Sequence, residues 1–551
     1  MRIIPTLVLA ATVLAACATP TANALPTSMP GSPATLVPAA VAPTNMPTVV
    51  PTISLSETPE PSAIPTPVAT ATASPVPERT VFSQAVWEPF DVAAQAAALL
   101  PTTRGDLDRA GEWNRYTIRG TIDPARRTLS ASQRLEYTNR DSVALDKLYF
   151  HLYPNLSDFV GRLDVTNLAV NGTPVPVAYQ LNRYLLRVDL PQPLEPGAEA
   201  VVTLDFVART PVNASGPAYG AFNREAGVLA LASAYPIAAV VRGGVWDIER
   251  PDAKGDFVNS ETSLYDVTLS APADWNLVTT GVAINEQIEG ANRNTRFVSG
   301  PQRDFTLAAT QLQQVSGEVE GILVTSYYRS NNAAGGKIAL DVAINSVRAY
   351  NKRFGPYPLR ELDVIEIAAT RFLGVEYPGL TMIDSKIYGD ARTLETTVVH
   401  EVAHMWFYST VGNDVQRESW LDEAFASYAQ IIYGEEVFGA GRAAEELAEF
   451  RRRYANVVQA GRDAPVSQQN RTFKSNYFGL VYGKAVLFLQ VLRNELGEEA
   501  FDRFLHDYYA ENRYRYVSGS DLLASAEEAC GCQLDILYQN WIVKKAPVKV
   551  P

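Results

Sequence analysis

The 551-residue chain has four histidines, and two of them, His400 and His404, stand four apart in Val399-His400-Glu401-Val402-Ala403-His404. On a helix, residues four apart share a face, so the two imidazoles can converge on one cation. Glu401 lies one step round from His400, placed to act on a water beside that cation without ligating it. Glu423 offers a third donor after a gap of 18 residues, within Trp420-Leu421-Asp422-Glu423-Ala424-Phe425-Ala426-Ser427-Tyr428. That run is otherwise apolar and aromatic, where an unpaired carboxylate is costly to bury. Two imidazoles, one carboxylate and an open fourth position make the donor set of a catalytic zinc ion, so one Zn²⁺ per chain is expected on His400, His404 and Glu423.

Residues 400–428 resemble the gluzincin zinc metallo-aminopeptidases, the family of membrane alanyl aminopeptidase and leukotriene hydrolase. Its signature is H-E-x-x-H, an 18-residue gap, then Glu inside W-L-[DN]-E-[GA]-F-A. Two other stretches agree. Leu373-Gly374-Val375-Glu376-Tyr377-Pro378-Gly379-Leu380 resembles the exopeptidase motif G-[AG]-M-E-[NY]-P-G, and Val481-Tyr482-Gly483-Lys484-Ala485 resembles the downstream Y-[ED]-K-G. The likeness covers roughly residues 110 to 545.

The resemblance implies a zinc-dependent aminopeptidase. In it, Glu401 is the general base, Glu376 holds the substrate ammonium, Gly374 and Val375 contact the substrate, and Tyr482 donates to the oxyanion, with Tyr477 as the other candidate. Gln430, seven residues after Glu423, is the expected partner for the second nitrogen of a metal histidine. Leu373 and Val375 stand where the family has Gly and Met, and Gly483 and Ala485 where it has an acid and Gly. The alternatives are an endopeptidase of the same fold and an inactive, anchored peptide-binding or scaffold protein.

These residues need elements to hold them. Apolar spacing predicts a metal helix over residues 393–408, a second helix over 419–433 for Glu423, and another over 337–354, with strands at 322–328 and 362–369 and Glu376 on a strand edge. That order is a small mixed sheet followed by a helical lobe over residues 315–551, resembling a thermolysin-like catalytic domain. Upstream, Leu129, Ala131, Gln133, Leu135 and Tyr137 alternate with polar residues, and similar runs recur at 148–152, 200–207, 263–270, 276–284 and 303–310. A period of two marks half-buried strands, so residues 113–314 read as a β-sandwich domain, preceded by a short helical lead-in over 81–112. The whole is a multidomain α+β chain. His151, in an apolar strand, reads as a hydrogen-bonded core residue. The loop Gly255-Asp256-Phe257-Val258-Asn259-Ser260-Glu261 resembles one in compact family members and is assigned no chemistry. Long members also supply an amine-binding residue from the β-domain, and its counterpart here is not placed.

Residues 1–17 carry Arg2 and then an apolar run too short to stay in a bilayer, ending Leu14-Ala15-Ala16-Cys17, which resembles a bacterial lipobox. A lipid-anchored protein outside the cytoplasm is expected, with lipidation at Cys17; plain secretion is the alternative. Residues 18–80 are rich in Pro, Thr, Ala and Val, a composition that cannot bury a core and reads as a disordered tether. The net charge of −13 and the lack of a basic run exclude a nucleic-acid partner, leaving peptides with a free N-terminus and a membrane surface. Cys530 and Cys532 read as a local disulfide or inert thiols. A monomer is expected, and without the large C-terminal helical domain of longer members, an open cleft.

Overall fold

The alternation at residues 128–137 is a strand, Thr128–Thr138, with Leu129, Ala131, Leu135 and Tyr137 buried. The structure, a computed structural model, describes residues 87–211, 219–545, 548 and 550. The leader with Cys17 and the 18–80 stretch lie outside the described residues. Thr128–Thr138 runs antiparallel between Asn114–Asp123 and Glu199–Arg209 in an eight-stranded sheet. Residues of this sheet and of two four-stranded sheets share one apolar core, which makes the first half of the chain β-rich.

Two strand expectations change. The 276–284 run is broken into Asn276–Thr279 and Val282–Glu289, which join different sheets. Between them Gly281 takes φ 89°, and a Cβ there would meet the Val298 carbonyl at 2.3 Å, so the chain turns where only glycine fits. The 303–310 run is a strand only from Leu307 to Thr310. Arg303 and Asp304 leave the ladder because their buried side chains reach the Asn413 carbonyl and the Tyr408 hydroxyl.

The lead-in is two 3₁₀ segments, Ala93–Ala97 and Arg104–Glu112. It works as a strap. The fully buried Gln95 donates to the Tyr265 carbonyl and accepts from the Ser299 and Gly300 amides, all in the first half. A few residues on, Leu100 N–H donates to Pro358 O and Arg360 N–H to Ala98 O, in the second half.

That half begins with a five-stranded sheet in the order Gln313–Val319, Ile322–Tyr328, Glu361–Ile367, Leu380–Asp384, Gly374–Tyr377. Glu361–Ile367 is parallel to both neighbours, while Gly374–Tyr377 returns antiparallel as the edge. Pro378-Gly379 closes that hairpin, with Gly379 at φ 70° where a tight turn needs the left-handed region. Helix Ala333–Arg353 covers the sheet, and the helices Ala391–Ala403, Trp420–Tyr433, Ala440–Gln459, Ala485–Leu496, Glu498–Asn512 and Gly519–Cys530 follow. Cys530 and Cys532 are disulfide-bonded. Among the described residues no helix is long and apolar enough to cross a membrane.

Candidate metal centre and active site

Asp390 starts the metal helix by accepting from the Arg392 and Thr393 amides, satisfying donors that a first turn leaves unpaired. The helix ends at Ala403, five residues short of the expected 408, with His404 as its C-cap. The chain bends back there: Tyr408 takes φ 120°, Ser409 N–H donates to His404 O, and Thr410 Oγ1 donates to Met405 O. This bend brings the Phe407 carbonyl to 3.0 Å from His404 Nδ1. A carbonyl can only accept, so Nδ1 carries the proton and the Nε2 lone pair is left for a cation.

Helix Trp420–Tyr433 is buried along its whole length and brings Glu423 against the metal helix. Glu423 Oε2 lies 3.1 Å from His400 Nε2 and 3.5 Å from His404 Nε2, and the two Nε2 atoms are 3.2 Å apart. Tetrahedral bonds of ~2.0 Å put neighbouring donors ~3.3 Å apart, so the trio fits one zinc-sized ion with a corner to spare. Glu423 Oε1 accepts from the Tyr482 hydroxyl, which leaves Oε2 as the single donor oxygen. The Gln430 amide lies 3.3 Å from His400 Nδ1, where its oxygen, turned inward, can accept that ring's proton.

Burial drives the His400 cation down, to a pKa of about 4, leaving the ring neutral as a metal ligand must be. Burial also opposes charge on His404, but the hydrogen bond and charge of Glu423 outweigh it and lift His404 to about 9. Glu423 itself is pushed up by burial and held well below the usual carboxylate range by the two histidines.

Glu401 is fully buried, and neither of its carboxylate oxygens has a hydrogen-bond partner. Gly374 is the reason it fits: a Cβ there would come within 2.5 Å of Glu401 Oε1. On a strand, alternate residues share a face. Glu376 accordingly joins Gly374 on the donor side, with an oxygen 3.9 Å from His404 Nδ1. Val375 turns the other way into the apolar core, so its side chain does not face the donors and only its backbone is available to a substrate. Tyr482 lies in a widened helical turn, Leu480–Lys484, with φ −94° and ψ 16°, just before helix Ala485–Leu496 rather than at its start. Tyr477 packs edge-on against Tyr482, ring centroids 6.0 Å apart, and its hydroxyl backs Gly255, where a Cβ would meet it at 2.7 Å. His151 is buried as expected, but it is held between Tyr153 and Tyr184, with ring centroids at 5.4 and 5.1 Å, and burial lowers it to about 4.

Asp256 was not legible as a site residue. It rides the loop that was assigned no chemistry, and one oxygen each from Asp256, Glu376 and Asp422 gather within 4.8 Å of one another. Gln416 Nε2 donates to Asp256 O and Asn470 Nδ2 to Lys254 O, pinning the loop to the second half. The available signal was an acid beside Gly255, whose φ of 77° and crowding by Asn470 allow no side chain. Burial, then the nearby Glu423 charge, raises Asp256 to about 7, and burial with Asp256 and Glu401 raises Glu376 well above the usual range.

Residues 338–541 match the Peptidase family M1 domain. The chain carries an M1 domain of the gluzincin type. Aminopeptidase M1-D of Oryza sativa subsp. japonica is 24% identical over 298 residues, 51% of this chain and 34% of that protein. Aminopeptidase RNPEPL1 of Homo sapiens is 30% identical over 219 residues, 36% of this chain and 30% of that protein. The chain thus spans about a third of the length of these relatives. The crystal structure of an M1 zinc metallopeptidase from Deinococcus radiodurans superposes with a TM-score of 0.61 at 22% identity, covering 79% of this chain and 95% of that one. The shared fold therefore extends beyond the M1 domain into the β-rich half.

Proposed function

We propose that this protein is a zinc-dependent aminopeptidase that removes the N-terminal residue of peptides. The observation that carries the reading is the pair Glu376 and Asp256, buried carboxylates beside the donor trio, with no lysine or arginine bridged to Glu376 among the described residues. An ammonium group brought by a substrate supplies the missing charge and can donate to both. An endopeptidase has no use for such a pair.

His400, His404 and Glu423 would hold the ion, which when bound supplies Lewis acidity to the scissile carbonyl and to water. Glu401, its oxygens free of protein donors, takes the proton of the attacking water and returns it to the leaving amine. Tyr482 shifts its hydroxyl from Glu423 to the oxyanion. Glu376 and Asp256 fix the amine so that the first peptide bond lies at the donors. The curated relatives are named aminopeptidases, and a Deinococcus radiodurans neighbour is titled as bound to a Tyr-Ser-Ala substrate, which supports the class of reaction.

Aminoacyl p-nitroanilides and their N-acetylated forms test the reading on protein whose zinc is quantified. Only the free-amine compounds should be cut, a chelator should stop the reaction, and Glu401→Gln should lower kcat by roughly 10³-fold with zinc retained. Equal cleavage of both forms would make it an endopeptidase, and no cleavage of either by zinc-loaded protein would leave only a binding role. The leader adds a second proposal, that the enzyme works outside the cytoplasm on a lipid anchor at Cys17; the mass of the mature N-terminal peptide tests it.

A further inference from the structure

Away from the metal centre, a surface cavity of about 510 Å³ lies where the lead-in, the β-rich half and the helical half meet. Three arginines from different parts of the chain line it: Arg140, Arg303 and Arg515. None of them forms a salt bridge with a carboxylate among the described residues. Arg140 donates only to neutral oxygens, Asn114 Oδ1 and the carbonyls of Gly111 and Thr138. Arg515 donates to Asn512 Oδ1. Arg303 is 2% exposed, donates to the Asn413 carbonyl, and leaves its Nε without a partner.

The acids that could neutralise them are engaged elsewhere. Glu112 is taken by Arg109 and Glu261 by Arg242, both pairs on the cavity wall. Asp304, next to Arg303 in the chain, accepts from Tyr408 and Thr306 and is itself pushed toward neutrality. A buried guanidinium without a counter-charge is costly, and Arg303 is one; Arg140 and Arg515, exposed at the rim, add two more cations without a carboxylate partner to the same cavity, on a chain of net charge −13. Three aromatic residues also line the wall. Trp113 and Tyr514 meet edge to face, and Tyr516 lies between Arg242 and Arg303, which stack on it at 4.8 and 5.3 Å.

We propose that this cavity is a binding site for a small organic dianion, in which phosphate or paired carboxylate groups meet Arg140, Arg303 and Arg515 and a planar apolar part lies against the edges of Trp113 and Tyr514. Its size suits a drug-sized molecule, and arginine forks match the geometry of both oxyanions. This site is separate from the donor trio and does not rest on the peptidase reading.

Isothermal titration of the intact zinc-loaded protein with phenyl phosphate and with phthalate tests it and tells the two oxyanion chemistries apart. Benzyl alcohol is the uncharged control. At least one dianion should bind saturably and the control should not. Arg515→Glu, at an exposed position with one side-chain bond to lose, should weaken binding at least tenfold, and so should Arg140→Gln. Arg515→Lys should recover part of the loss, and all three variants should keep the wild-type circular dichroism spectrum. No saturable binding of either dianion, or wild-type affinity in both Arg515→Glu and Arg140→Gln, overturns the proposal.

Discussion

Asp304 shows how one buried acid ties stability to pH. Burial raises its pKa from the ordinary 3.8 to about 7, although the Tyr408 hydroxyl and the Arg303 charge pull the other way. Below pH ~4 both folded and unfolded chains hold this proton, and its contribution is complete. Between about 4 and 7 the unfolded chain has released the proton while the folded one still binds it, so each rise in pH lowers stability; above 7 the loss is complete. Asp304→Asn keeps an acceptor for Tyr408 but cannot ionise. Urea midpoints should therefore show the variant gaining on the wild type from pH 4.5 to 7.5, by on the order of 2 kcal/mol. Asp256 gives a different kind of prediction. Asp256→Asn should raise KM for free-amine substrates by roughly 10–100-fold, the worth of one charge-assisted hydrogen bond, with little change in zinc content.

At the scale of elements, the edge strand Gly374–Tyr377 and the metal helix meet with no space between them. In Gly374→Ala the new methyl would overlap Glu401 Oε1, at 2.5 Å, and push the base off its line. A fall in kcat of about tenfold or more is expected, with the zinc content and the urea midpoint near wild type, because backbone pairing of Gly374 with Ile383 does not depend on its side chain. The donor trio was legible in the sequence because helical spacing is a local rule, and an acid in an apolar run has few other uses. Glu376 was expected on a strand edge after the 362–369 strand, but the hairpin that Pro378-Gly379 closes became visible only in the structure. The end of the metal helix was not. Residues 405–408 keep helical apolar spacing, and only the hydrogen bond from His404 to Phe407 O and the φ of Tyr408 stop it. The side to which Val375 turns follows from strand parity once the register is known, and a likeness between motifs does not carry parity.

For the whole molecule, the first-half loop with Asp256 and the lead-in strap are contacts between distant stretches, which no local pattern announces. The strap concentrates much on one side chain. Gln95→Ala would leave the Tyr265 carbonyl and the Ser299 and Gly300 amides without their buried partner. A loss on the order of 3 kcal/mol is expected in chemical denaturation. The first and second halves would loosen at the same denaturant concentration, because the segment that anchors Gln95 goes on to pair with Pro358 and Arg360. The two carboxylates that would grip a substrate's amine belong to opposite halves, one on a pinned loop and the other on a sheet margin. Any shear between the halves thus alters the span between the grips while the three donors, all on neighbouring helices of one half, move together. Under gentle stress, discrimination between free and blocked termini should fade before hydrolysis does, so loss of selectivity becomes the earliest sign of unfolding.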